Sequence, residues 1–267
     1  MLGKDMDHSE QHIAAGNSTL THRRTPWDEM ALGVKTDEIM IMKYTSTAEL
    51  VELLTKYIDY VSTSGIELSY IRVDSSDHVA KAVLQSMGFY YAESSIEMKN
   101  GNLSKFAPKD KYRSKLILYE VNDEHDYDQI RNISQRAFNH SRFHEDANIE
   151  IERARIRYRN WVDDLIKDNY EIVAYRTEGI VHAFMAYKVS ERRARLMLGG
   201  SDIGKGYLSP ALWTSVLCEL KRKGVASASG LVSASNITII NMYIELGFKV
   251  DKTFNGFHRI INHGEQR

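Results

Sequence analysis

The sequence predicts an α/β protein of the α+β type, made of two related halves of which the first is truncated. Three observations carry that reading. The apolar share is 43 %, and about 49 % once the 16 glycines are added, which is what a globular core requires. Runs with the 3.6-residue periodicity of an amphipathic helix alternate with short strand-like runs. The pairs Gly88-Phe89 and Gly247-Phe248 also stand 159 residues apart, and that offset brings much of their surroundings into register.

Under the offset, Gly65 falls on Gly224 without a gap. Upstream, Leu53, Leu54, Tyr57, Ile58 and Val61 fall on Leu212, Trp213, Val216, Leu217 and Leu220, each set marking one helix face. Between the glycines Val73 meets Val232, and Ser76-Asp77 meets Ser235-Asn236 ahead of a second helix. The repeated unit is helix, glycine stop, strand, polar turn, helix, Gly-Phe, strand. In the C-terminal half it follows a longer lead-in. Lys115–Val121 reads as a strand, Asp126–Phe138 and Ile149–Ile166 as helices, and Glu171–Thr177, Ile180–Val189 and Arg193–Gly199 as consecutive strands, the first two joined by a turn at Glu178-Gly179. The N-terminal half shows only Glu38–Lys43 before its helix. The organisation expected is a flexible polar tail over 1–24, a truncated domain over 25–100, a linker over 101–113 and a complete domain over 114–267.

Composition removes several classes of function. With 35 basic and 36 acidic residues the net charge is −1, which suits neither a general nucleic-acid binder nor an anionic-membrane binder. One cysteine makes no intramolecular disulfide and no zinc site by itself. Gly224–Ile244 is 21 residues without a charge, but its serines, asparagines and Thr238 read as buried strand plus helix rather than a membrane span. The opening residues lack a signal-peptide apolar core. The expectation is a cytoplasmic protein with no membrane or nucleic-acid partner.

The chemistry concentrates in the C-terminal half. Gly199-Gly200-Ser201-Asp202-Ile203-Gly204-Lys205-Gly206-Tyr207-Leu208 joins a strand to a helix, with Ser209 at the expected N-cap and Pro210 at the first helical position. Glycines there let backbone N–H groups turn toward an anion, and Lys205 adds charge. The offset places Thr45-Ser46-Thr47 opposite Gly204-Lys205-Gly206, where Ser46 and Glu49 read as a capping box. In the last helix Asn236, Asn241 and Tyr243 stand opposite Asp77, Ala82 and Leu84. A tyrosine in a cleft can act as a general acid, whereas in a core it is only an aromatic filler. Ser141–Asn148 suits a substrate wall, with Arg142 for phosphates or hydroxyls, Phe143 as an apolar face, and His144 and Asp146 as polar contacts. It reads equally well as a solvated loop. His140, His144 and Asp146 lack a cysteine or helical H-E-x-x-H frame, so no metal is expected.

A strand, a G-x-G loop, a helix, a strand and then Asn-x₄-Asn-x-Tyr-x₃-Gly-Phe resembles the acetyl-CoA-binding core of the GNAT superfamily of N-acyltransferases. That resemblance implies a mixed central sheet flanked by helices, preceded here by a truncated GNAT-like half. It implies acetyl-CoA as cosubstrate, contacted by Leu198, Gly199, Ile203–Leu208, Asn236 and Asn241, with Tyr243 protonating the departing CoA thiolate. Of the usual loop signature Arg/Gln-x-x-Gly-x-Gly/Ala only Gly206 is kept, Ile203 and Leu208 being the departures. Ala137-Phe138-Asn139-His140-Ser141-Arg142-Phe143, and Trp27-Asp28 followed by Gly33, are similar to motifs of the dTDP-fucosamine acetyltransferases. This implies a small-molecule amine acceptor, in particular a nucleotide-linked amino-deoxysugar. A homodimer is a candidate assembly, which the sequence does not decide. The alternatives are another small amine, an amino acid or a protein N-terminus as acceptor, and a non-catalytic CoA-binding or interaction module. Glu38, Asp146 and His182 are all candidates for the base.

Overall fold

The computed structural model describes residues 10–108 and 116–261. They form two compact units, each discontinuous in sequence: 10–94 with 145–149 and 254–261, and 95–108 with 116–144 and 150–253.

The first unit opens with a hairpin of β1 (Gln11–Ala15) and β2 (Ser18–Arg24), closed by Gly16-Asn17 with Gly16 at φ 56°. This corrects the expected tail over 1–24, whose first nine residues lie outside those described. The hairpin hides in the sequence because its inward side is partly polar. Leu20 is fully buried, but beside it Ser18 meets Glu49 and buried His22 meets Asp37 at 3.1 Å. Then come α1 (Pro26–Leu32), β3 (Thr36–Lys43), α2 (Thr47–Thr63), β4 (Leu68–Asp74), α3 (His78–Ser86) and β5 (Tyr90–Asn100). The face of α2 read from the sequence is the buried one, with Leu53, Leu54, Tyr57 and Val61 inaccessible to solvent. Burying each such side chain contributes about 1.5–3 kcal/mol. β3 and β4 are parallel and joined through α2, while the flanking pairs are antiparallel.

In the second unit a one-turn 3-10 segment, Leu103–Lys105, packs Leu103 and Phe106 into the core, so part of the expected linker is built in. The rest of that linker, and the start of the strand expected at Lys115–Val121, fall in 109–115, outside the described residues. That strand is reduced to β6 (Tyr119–Glu120). It is followed by α4 (Glu124–Ala137), α5 (Ile151–Lys167), β7 (Glu171–Thr177), β8 (Ile180–Ser190), β9 (Arg193–Ser201), α6 (Ser209–Arg222), β10 (Ser227–Ser233), α7 (Ile237–Glu245) and β11 (Lys249–Ile260). One face of this unit's sheet packs on α6 and α7 around Trp213, Val216 and Phe248, the other on α4 and α5 around Ile130, Val162 and Phe184.

Each unit draws its last strand from the far half of the chain. In the first, residues 254–260 of β11 pair antiparallel with β4; in the second, residues 95–100 of β5 pair antiparallel with β10. The strand orders are therefore β1-β2-β3-β4-β11 and β5-β10-β9-β8-β7-β6, each a mixed sheet with one parallel pair. A domain boundary at residue 100, as expected from the sequence, differs from this division at both terminal strands. No helix among the described residues is long and apolar enough to cross a membrane.

Candidate active site

In the second unit the parallel pair β9 and β10 stays together only part of its length. Its rungs run from Arg193↔Ser227 to Leu196↔Gly230, while β9 continues to Ser201 and β10 to Ser233. On the other side of β9 the register with β8 slips, Tyr187 facing Leu196 and Ala186 facing Leu198, so Met197 is an extra residue. Such a bulge bends a strand locally, and here it falls where the rungs stop. The outcome is a split between two central strands, which run on past Leu196 and Gly230 without rungs between them. The first unit repeats the device: its rungs end at Ile39↔Ile71, and Met40 is the extra residue against β2.

The two splits are lined differently. In the second unit Tyr243 of α7 is 5 % exposed, and a Cβ placed on Gly230 would lie 2.6 Å from its hydroxyl oxygen and 3.4 Å from the Leu196 carbonyl oxygen. The phenol thus reaches the last rung because residue 230 has no side chain. Its ring is held edge-on by Phe248 at 4.8 Å and Trp213 at 6.2 Å. Burial pushes the phenol up to about 12, with Trp213 acting the other way, so it stays protonated at neutral pH. In the first unit the same positions are Ile71 and Leu84, both buried.

The glycine loop lies at the end of β9. A Cβ on Gly199 would overlap the end of the Met185 side chain, and one on Gly200 would press on the Phe138 ring at 3.0 Å, so backbone forms the wall here. Leu198 turns its side chain into the core on the α4/α5 side. In the loop, the Ile203 amide is bound by the Asp202 carboxylate at 2.8 Å, and Arg136 pairs with that carboxylate at 3.1 Å. A 3-10 turn over Gly206–Leu208 leads into α6. The first amides of such a turn, Gly206 and Tyr207, have no partner within it. Gly204 sits at φ 76°, and a Cβ at Gly204 or Gly206 would touch nothing within 4 Å. Lys205 is half-buried beside them, whereas Ile203 and Tyr207 are exposed and Leu208 packs partly on the core. The expected cap differs: Ser209 is already helical, and its Oγ faces Ser201 Oγ at 3.3 Å rather than capping α6. The equivalent helix of the first unit is capped, Ser46 Oγ accepting from the Glu49 amide at 3.2 Å. Relative to β3–α2, β9–α6 is two residues longer, since Thr36 aligns with Arg193 at the first rung and Thr47 with Gly206 after the loop.

Asn236 caps α7, accepting from the Ile239 amide at 3.3 Å, and Asn241 is exposed on the same helix. The α4–α5 loop reaches this end of the sheet: Phe138 lies over Gly200, and His140 Nδ1 is 2.9 Å from Ser235 Oγ. Phe143 is buried rather than presented as a wall, with the Arg142 guanidinium 4.9 Å over its ring. Asp146 belongs to the first unit, where its Oδ2 accepts from His258 Nδ1 and Tyr90 Oη, each at 2.7 Å, and its Oδ1 from the Asn148 amide at 2.8 Å. Burial alone would raise this carboxyl, but the donors, His258 foremost, hold it at about 2. Its carboxylate anchors the 145–149 segment. Of the candidate bases, Glu38 pairs with Arg23 at 3.0 Å and His182 Nε2 with Thr177 Oγ1 at 2.7 Å. Sequence reasoning missed Gly230, since a lone glycine in a strand carries no signal until Tyr243 is seen above it. No group of three or more metal-ligating side chains stands among the described residues.

No protein-family model and no curated protein matches this chain. Solved structures do. A GCN5-related N-acetyltransferase from Sphaerobacter thermophilus aligns with a TM-score of 0.66 at 10 % identity, over 92 % of this chain and 81 % of that one. A tandem GNAT protein from the clavulanic acid biosynthesis pathway gives 0.63 at 10 % identity, over 92 % and 79 %. A GCN5-related N-acetyltransferase from Kribbella flavida gives 0.56 at 13 % identity, over 96 % and 91 %. The chain carries the GNAT fold, a mixed α/β architecture with helices flanking the sheet.

Proposed function

We propose that this protein is an acetyl-CoA-dependent N-acetyltransferase whose single active site lies in the second unit. The observation that carries the reading is the Tyr243 hydroxyl at the last rung of the β9/β10 split, beside a loop of open glycines. The loop amides of Gly204, Gly206 and Tyr207, with Lys205, suit the pyrophosphate of CoA, because nothing stands within 4 Å where glycine side chains would be. The backbone of Leu198 and Gly199, past the last rung, faces the thioester carbonyl and stabilises the oxyanion as the amine attacks. Asn236 and Asn241 line the pantetheine side. Tyr243, kept neutral by burial, gives its proton to the departing thiolate. The acceptor is a primary amine attacking in its neutral form; the proton it sheds as the amide forms passes to water, from which the Tyr243 phenol is restored, and no covalent enzyme intermediate is needed.

For the acceptor, the Ala137–Phe143 motif supports the amino group of a nucleotide-linked amino-deoxysugar, with Arg142 beside the phosphates. A second reading, a CoA-binding module without transfer, is favoured by Ile203, exposed where the loop signature carries a basic or amide residue. Calorimetry with acetyl-CoA followed by transfer to dTDP-4-amino-4,6-dideoxygalactose separates them. We expect one acetyl-CoA per chain and N-acetylated product. Binding without transfer to this sugar or to simple amines selects the module, and absence of binding rejects both readings.

A further inference from the structure

The α4–α5 loop, which touches the end of the split through Phe138 and His140, carries an unusual donor. Ser141 Oγ accepts from the amides of Phe143 and His144, each at 3.3 Å, which uses its two lone pairs. Its hydroxyl proton is therefore directed at His144 Nδ1, 2.8 Å away. That assigns the neutral ring its hydrogen on Nε2, and Nε2 is buried without a hydrogen-bond partner among the described residues. Buried polar atoms are normally satisfied, so an orphaned N–H marks a place for an acceptor atom.

The surroundings are cationic. Tyr158 meets the His144 ring edge-on at 4.9 Å and donates to the His140 carbonyl at 3.3 Å, tying the loop to α5. Arg155 and Arg159 stand one turn apart on that helix, and each has a buried Nε with no hydrogen-bond partner among the described residues. Arg155 meets Glu152 at 3.6 Å with both side chains exposed, an ion pair of the weak kind. Burial holds the His144 imidazole down at about 4, and the charges of Arg155 and His140 add to this, so the ring stays a neutral donor at physiological pH.

We propose that His144 Nε2–H and Arg155, with Arg142 on the same loop, form a subsite for an anionic oxygen group, phosphate or carboxylate, carried by the acceptor amine. The loop's contacts at Gly200 and Ser235 put this subsite beside the split, where an acceptor would present its nitrogen. That the anion belongs to an acceptor rests on the acetyl-transfer reading; the anion site itself does not.

The test uses the full chain saturated with CoA, so that the glycine loop cannot capture the probe. Inorganic pyrophosphate, inorganic phosphate and acetate are titrated separately while the His144 ring is followed by NMR. We expect at least one ion to shift that resonance and raise the ring's pKa. Arg155→Met should weaken it by about tenfold or more. With binding of the same ion read by calorimetry, since these variants lack the reporter ring, His144→Gln, which keeps an N–H near the Nε2 position, should bind nearly as wild type, whereas His144→Phe should not. Preference for the phosphates indicates a phosphorylated or nucleotide-linked acceptor, and preference for acetate an amino acid. If no ion moves the His144 signal, or if Arg155→Met binds as wild type, the subsite does not exist. Should His144→Phe fail to fold, Arg155→Met decides. Failure of CoA to bind in the saturation step would count against the acetyl-transfer reading alone.

Discussion

At the scale of single residues, the two halves differ by an exchange of bulk. Ile71 and Leu84 fill the first split with carbon, while at Gly230 and Tyr243 the second holds a phenol whose oxygen lies 2.6 Å from where a Cβ on residue 230 would stand. Leu84 shows that packing at this helix position does not require a hydroxyl. Tyr243→Phe should therefore keep fold and acetyl-CoA affinity, while single-turnover acetyl transfer falls by about 10²–10⁴, the usual worth of a general acid. Wild-type single-turnover transfer in that variant would make Tyr243 a packing residue. Because burial raises the phenol to about 12, its ionisation lies above the assay range, and no falling alkaline limb should be removed by the substitution. Gly230→Ala supplies the complementary test. Its methyl would meet the hydroxyl oxygen at 2.6 Å and displace it, at a stability cost of about 1–3 kcal/mol. Transfer should drop although the tyrosine is intact, and an active Gly230→Ala would show that the position of the hydroxyl does not matter.

Between elements, the informative contrast is how each half starts the helix after its parallel strand. α2 closes its first turn with its own Ser46, whereas α6 begins after a 3-10 turn with no side-chain cap. Gly206→Val probes this cleanly. The added side chain enters open space and the backbone is not left-handed, in contrast to Gly204 at φ 76°. The melting temperature should stay near wild type while acetyl-CoA affinity falls more than about tenfold, or ~1.4 kcal/mol. Unchanged affinity by calorimetry would remove the loop from the binding site. The sequence made most elements legible because their apolar faces are regular: Glu171–Thr177 matches β7 end for end, and the α6 face of Leu212, Trp213, Val216, Leu217 and Leu220 is the buried one. It misplaced the start of α6 because Ser-Pro suits either an N-cap pair or a first helical turn, and a local 3-10 turn decides between them. It missed the β1–β2 hairpin because Ser18 and His22 point inward to polar partners, which breaks the alternation of apolar and polar residues.

For the whole molecule, strand identity was legible and strand partnership was not. The repeat places a strand after each Gly-Phe pair, and the strands run over 90–100 and 249–260, but nothing local says that the later part of each pairs outside its own repeat. The rungs Ala228↔Asn100 to Ser233↔Ser95 give the second unit an edge that the N-terminal half supplies, and Phe254↔Asp74 to Ile260↔Leu68 do the converse for the first. Cutting between the repeats would strip each unit of a paired strand and of core residues: Met98, Leu103 and Phe106 from the second, Phe257 and Ile261 from the first. Losing a fully buried Phe or Met typically costs about 2–5 kcal/mol, and domains carry only about 5–15 kcal/mol in total. Residues 1–108 expressed alone should therefore lack a cooperative thermal transition, and so should 109–267. The two co-expressed should assemble into a soluble pair with one acetyl-CoA site. A fragment 1–108 that melts cooperatively by itself would show that the borrowed strand is dispensable, and that the first half is a domain in its own right.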